Sequence, residues 1–239
     1  MKQSLEIVTV CCKSTFSESM RILGFVCLLL ISCNSQSQDQ WKNIYSESAW
    51  AERDKWQRAE AIIGKLGVKA GDKVADVGSH EGYMTMKLAK AVGKEGRVYA
   101  VDVNQSKLDR LEDHLKERSI ANVSTVKGDY DDPKLPINSL QGALIIDTYH
   151  EMDDHDKVLQ HIKSALVFGG KLVICEPIAN ERRALSRAEQ ERKHEIGMNY
   201  VLEDLAKAGF AIAFKQDPYI DRQQIKGDNM WIIVAQKQR

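Results

Sequence analysis

Val74-Ala75-Asp76-Val77-Gly78-Ser79-His80-Glu81-Gly82-Tyr83 decides the architecture. A short apolar run ends on an acid and a glycine turn, and Met84, Leu88 and Val92 follow at helical spacing up to Gly93. That is a buried strand feeding directly into a helix. Working outward, the pattern repeats. Residues 97–101 form a second strand backed by Leu108, Leu111 and Leu115, and 122–126 form a short third strand. Residues 143–146 make a fourth, with a helix through Val158, Ile162 and Leu166, and Gly169-Gly170 turns the chain into a fifth at 172–175. Upstream, Trp56, Ala59, Ile63 and Leu66 share one helical face that Gly67 closes. Strands that are apolar throughout, alternating with helices, indicate a parallel sheet covered on both faces. Right-handed crossovers make it doubly wound. The end departs from this rhythm: residues 210–214 and 230–235 are strand-like and separated by a polar loop with no helical pattern, so an antiparallel hairpin is expected. The expected class is α/β, a mainly parallel, doubly wound seven-stranded sheet with a C-terminal antiparallel hairpin.

Composition narrows the function classes. Thirty-four Lys and Arg balance thirty-four Asp and Glu in 239 residues, for a formal net charge of zero. Nucleic-acid binding depends on excess positive charge, so that class is disfavoured. No apolar run reaches the ~18–20 residues that span a bilayer.

The N-terminus reads as an address. Arg21 precedes an apolar run at 22–31, followed by Ser32 and Cys33, the order of a secretory signal. Leu30-Ile31-Ser32-Cys33 resembles the lipobox of bacterial lipoproteins, with Cys33 lipidated. The expectation is a signal at 1–33, a polar tether at 34–48, a domain at 49–239, and an envelope lipoprotein held at the membrane. Met20 offers an alternative start, and a cytoplasmic protein with an apolar N-terminal helix is the other reading. In the mature chain Cys175 would be the one remaining thiol, so no intrachain disulfide is expected.

Ligands of doubly wound sheets bind beyond the C-terminal strand ends. Here those ends carry Asp76 with Gly78 and Gly82, then Asp102-Val103, Asp129-Tyr130 and Asp147. The glycines let backbone approach a ligand closely. Asp102 is placed to accept two ribose hydroxyls, and Asp129 to accept from an adenine amino group. Several carboxylates together favour a ligand carrying positive charge rather than a pyrophosphate.

These motifs resemble the class I S-adenosylmethionine-dependent methyltransferases, from about Trp56 to the C-terminus. Residues 74–78 with Gly82-Tyr83 look like the first motif, 98–102 like the ribose-binding strand, and 166–172 like the turn before strand five. Asp132-Pro133-Lys134-Leu135-Pro136 and Asp147-Thr148-Tyr149-His150-Glu151 look like a small-molecule branch. The resemblance implies S-adenosylmethionine as cofactor, a small-molecule acceptor, and cofactor contacts from Asp76, Gly78, Gly82, Asp102, Val103, Asp129, Tyr130 and Asp147. One departure stands out: His80 occupies a position where the family usually has glycine, which fits if its side chain points outward.

Other residues carry competing readings. His150, at a strand end, is a candidate general base for a substrate hydroxyl. His150, Glu151, Asp153, Asp154, His155 and Asp156 crowd together without a strong metal-site spacing, so no metal is expected. The charged segment 176–199 reads either as a solvated helix or as a lid with His194 facing inward. Two rival functions remain: a membrane-tethered, non-catalytic nucleoside-binding module, and a nicotinamide-dependent oxidoreductase. The second requires a Gly-x-Gly-x-x-Gly turn, which 78–83 does not supply. The first draws weight from export, which would separate the chain from the compartment where S-adenosylmethionine is made.

Overall fold

The computed structural model of the protein describes residues 44–239. The expected signal segment, Met20 and Cys33 lie outside them. In chain order the elements are α1 (Trp50–Asp54), α2 (Ala59–Leu66), β1 (Lys73–Val77), α3 (Tyr83–Val92), β2 (Arg97–Asp102), α4 (Gln105–Glu117), β3 (Val123–Lys127) and β4 (Leu140–Ile146). Then come α5 (His155–Ala165), β5 (Leu166–Ile178), α6 (Arg187–Glu191), α7 (Met198–Lys207), β6 (Phe210–Arg222), α8 (Gln223–Lys226) and β7 (Asp228–Lys237). The sheet order is β3-β2-β1-β4-β5-β7-β6. The first five strands are parallel, and β7 runs antiparallel to both β5 and β6. Strand order reverses beside β1, where its neighbours β2 and β4 diverge; crevices for ligands form at such a point.

Apolar stripes set the layers. Ile62, Leu66, Met84, Leu88 and Val92 of α2 and α3 pack with Val74, Leu144 and Val173 on one face. Val158, Leu159 and Ile162 of α5, with Val201 and Leu205 of α7, pack with Ile145, Ile174 and Trp231 on the other. The sheet is therefore buried on both sides, as its uniformly apolar strands require. None of the described helices is long and apolar enough to cross a membrane.

The expected antiparallel pair of C-terminal strands is present, with β7 lying between β5 and β6. Three details differ from the sequence expectation. The loop joining β6 to β7 contains the short helix α8, closed by Gly227 at φ 75°. Strand β5 already begins at Leu166 and carries Gly169-Gly170 within it, with a register shift against β4 between Leu140 and Gly142. The domain also reaches upstream of residue 49: Ile44 is 4% exposed, and Tyr45 hydrogen-bonds to Asp147.

Segment 176–199 is not a solvated helix. Gln190 is fully buried; its amide nitrogen donates to the carbonyls of Arg182 and Leu185, and its oxygen accepts from Gly197 N. Glu195 is buried too, paired with Arg182 and accepting from Ala179 N. Arg187 bridges Glu191 and Asp204. Mixed charge at helical spacing here marks internal pairing, which a periodicity reading does not distinguish from a solvated face.

Candidate active site

A cavity of about 370 Å³ opens at the C-terminal ends of β1, β2 and β4. Asp76, Gly78, Asp102, Val103, Asp129, Tyr130 and Asp147 all line it. Gly82 does not, and its requirement is different. A Cβ there would lie 2.4 Å from Leu111 Cδ1, and the residue sits at φ +97°. Its lack of a side chain serves the packing of α3 on α4. A Cβ on Gly78 would likewise lie 2.2 Å from Thr148 Cγ2, so this glycine lets β1 and β4 ends meet.

Asp102 is held in place by two backbone amides. His80 N donates to Oδ2 at 2.9 Å and Asn104 N to Oδ1 at 2.8 Å. The cap of α4 is Asn104, whose side chain accepts from Ser106 N. Asp102 is thus free of the capping duty and keeps a lone pair on each oxygen for a partner in the cavity. Asp129 is exposed and pairs with Lys134 at 2.8 Å, a contact that lowers its carboxyl below the usual range. Asp76 is buried and accepts from Thr85 Oγ1 at 2.6 Å. Burial raises its pKa to about 6, against the pull of Thr85 and Arg53.

Asp147 is tied into a network rather than left free. Tyr45 Oη donates to its Oδ2 at 2.5 Å and Arg222 Nη1 at 2.9 Å. Arg222 also forks onto Asp228, Nε to Oδ1 at 2.7 Å and Nη2 to Oδ2 at 2.9 Å. Burial alone would raise the Asp147 carboxyl, yet Arg222, with help from Lys226 and His150, holds it well below the usual range. It stays an anion in the cavity wall.

His150 is absent from the lining of this cavity. Its Nδ1 meets Glu176 Oε2 at 2.6 Å and its Nε2 lies 3.2 Å from Glu151 Oε1. Burial opposes charging the ring, but Glu176 and Glu151 raise its pKa to about 10. Both ring nitrogens thus face carboxylates rather than the cofactor cavity. Glu176 is fully buried and also accepts from Thr148 N and Tyr149 N, at 2.7 and 2.9 Å. It fixes the turn that follows β4.

His80 does not point outward. It sits at φ 50°, lines the cavity, and stands 6.0 Å from the Tyr45 ring. Its Nδ1, like the neighbouring Ser79 Oγ, is buried without a hydrogen-bond partner among the described residues.

Sequence reasoning missed Arg53. It lines the cavity at 5% exposure, its Nε donates to Gln57, and its guanidinium lies 4.2 Å over the Tyr83 ring. Among the described residues no carboxylate lies within ion-pair distance of it. A buried cation without an ion partner is costly, and burial lowers its pKa. One signal was available: Trp50, Arg53 and Gln57 share a helical face at spacings three and four, placing a charge on an otherwise inward stripe.

The fold and the strand-end acids define the class I S-adenosylmethionine-dependent methyltransferase architecture. The profile of the methyltransferase domain family matches residues 68–225, and the chain belongs to that family. It is similar to the ubiquinone/menaquinone biosynthesis C-methyltransferase of Marinomonas sp., 28% identical over 69% of this chain and 62% of the relative. It also resembles the demethylmenaquinone methyltransferase of Geobacillus sp., 31% identical over 51% of each chain. The chain thus spans between half and two thirds of the length of those relatives. An S-adenosylmethionine-dependent methyltransferase from Aquifex aeolicus shares the fold with a TM-score of 0.65 at 20% identity, over 85% of this chain and 97% of its own.

Proposed function

We propose that the protein transfers a methyl group from S-adenosylmethionine to a small-molecule acceptor, and that the 370 Å³ cavity holds the cofactor. The observation that carries this reading is the pairing, in one cavity, of a buried cation that has no carboxylate partner among the described residues with a strand-end carboxylate. Arg53 suits the carboxylate of the methionine moiety. Asp102 suits the two ribose hydroxyls, and Asp129 with Tyr130 suits the adenine. Ser79 Oγ and His80 Nδ1, buried without a hydrogen-bond partner among the described residues, are further polar groups in the same wall. Cavity size is adequate, since small-molecule sites run to about 300–1,000 Å³.

When bound, the cofactor supplies a sulfonium-activated methyl group. The protein's part is then orientation and exclusion of water, which can supply most of the acceleration. Asp147, kept anionic by Arg222, and Glu151 give the cavity a negative wall that favours a cationic ligand. Tyr45, held by Asp147 and Lys226, also lines the cavity. No general base is required of His150 in this scheme.

Two of the relatives are named as a ubiquinone/menaquinone biosynthesis C-methyltransferase and a demethylmenaquinone methyltransferase, which supports a quinone-type carbon acceptor here. Calorimetry with S-adenosylmethionine and with NAD tests the cofactor; saturable binding of NAD alone overturns the reading. Incubation with cofactor and a demethylated quinone, followed by mass spectrometry of the product, tests the acceptor. We further propose lipidation at Cys33 and an envelope location, motivated by the basic, apolar, small, cysteine order of 21–33. Mass spectrometry of the native protein tests it. An intact N-terminus on a soluble protein excludes it.

A further inference from the structure

Beside the cofactor cavity lies a cluster in which only Glu151 also belongs to the cavity wall. His150, Glu151 and His194 each offer one donor atom, all within 4.8 Å of one another. They come from two distant parts of the chain: the turn after β4 and the strap between α6 and α7. We infer that these three side chains form a binding site for a divalent transition-metal ion, through His150 Nε2, Glu151 Oε1 and His194 Nδ1, the ion displacing to solvent the proton that His150 Nε2 shares with Glu151.

Three features support this. The donor set is chemically apt, since two imidazoles and one carboxylate bind such ions while leaving coordination positions open. Spacing is close to what a metal needs. Ligands about 2.1 Å from a tetrahedral ion sit about 3.4 Å apart, and His150 Nε2 lies 3.2 Å from Glu151 Oε1. His194 Nδ1 stands at 2.5 Å from the same oxygen and must draw back by under 1 Å; at 74% side-chain exposure it is free to do so. The third feature is support behind the ligand. Glu176, fully buried, receives His150 Nδ1 at 2.6 Å. A carboxylate behind a histidine fixes the ring and presents its other nitrogen, the arrangement found behind metal-bound imidazoles. The second cluster of donors, Asp147, His150 and Glu176, carries no such site because Arg222 already occupies Asp147.

Glu151 lines both the cofactor cavity and the shallow pocket that contains His150. An ion here would border the cofactor cavity, with open positions for an oxygen donor of the acceptor. The site needs no cofactor to form, so its test stands apart from the methyl-transfer reading.

Titrate the full-length, metal-free protein with Co²⁺ and follow visible absorption, then displace with Zn²⁺. The expected result is one saturable site, weakened tenfold or more by either His194→Ala or Glu151→Gln and unchanged by His161→Ala on α5. Both ligand variants alter partly exposed side chains, and circular dichroism with melting confirms that they fold. An absence of saturable binding overturns the proposal. So does equal binding by His194→Ala, or a thiolate charge-transfer band that places the ion on cysteines.

Discussion

Arg222→Met is the most demanding test of the site's electrostatics. Arg222 is fully buried and bridges Asp147 and Asp228, both of which are nearly buried themselves. Removing it takes both forked bonds from Asp228 and the main counter-charge from Asp147, while Tyr45 and Lys226 remain. Stranding a buried charge costs about 3–5 kcal/mol. For a domain of this size that is a fall in melting temperature of about 6–20 °C. The pH dependence should also change sign. In the native protein Asp147 sits below its ordinary value of 3.8. Its contribution is complete above that value and is lost only as pH falls through the lower folded one. In the variant, burial is opposed only by Lys226, His150 and the Tyr45 hydrogen bond; the folded carboxyl should rise above its unfolded value, so the folded state binds protons more readily than the unfolded chain and stability grows as pH drops from 7 towards 5. Urea denaturation followed by tryptophan fluorescence at both pH values reads this. Adding Asp228→Asn should recover part of the loss. A variant as stable as wild type at pH 7, or a deficit that does not shrink at pH 5, would falsify the account.

Other substitutions probe the cavity directly. Asp102→Ala removes two hydrogen bonds to a charged group, and with partial recovery by water should weaken S-adenosylmethionine by about 2–4 kcal/mol, roughly 30- to 800-fold by calorimetry. Asp102→Asn keeps one acceptor oxygen for the backbone amides, so its melting temperature should stay nearer wild type. Arg53→Met should cost about 1.5–3 kcal/mol of cofactor binding, roughly 10- to 150-fold, while the cofactor-free protein loses no stability; unchanged affinity removes Arg53 from the site. Asp76→Asn should raise stability at pH 7–8, because a carboxyl lifted to about 6 costs most when ionised. That advantage should fade towards pH 4, and a pH-independent difference would count against it.

The strand-end acids were legible because each belongs to a local pattern. Asp76, Asp102 and Asp147 close apolar runs, and a doubly wound sheet sends all such ends to one side. What stayed hidden depends on long-range pairing. Tyr45 meets Asp147 across 102 residues, and Arg222 meets Asp147 across 75; no periodicity reports such partners. His150 shows the same limit from the other direction. Its position suggested a base, but Glu176, at the end of the next strand, decides its protonation. The insertion of β7 was equally invisible, since two strand-like runs can pair as a hairpin in either edge order.

That insertion has a consequence for how the chain matures. Among the described residues strand β6 pairs with β7 alone, so it cannot join the sheet before β7 does. About fifty residues separate Ile178 at the end of β5 from Asp228 at the start of β7, roughly 3–10 s of synthesis. Throughout that interval β5 presents Val173, Ile174 and Cys175 along an unpaired edge, the kind of surface that recruits strands from other chains. Nascent chains stalled between these points should be the species that aggregate, and the ones a chaperone has to shield.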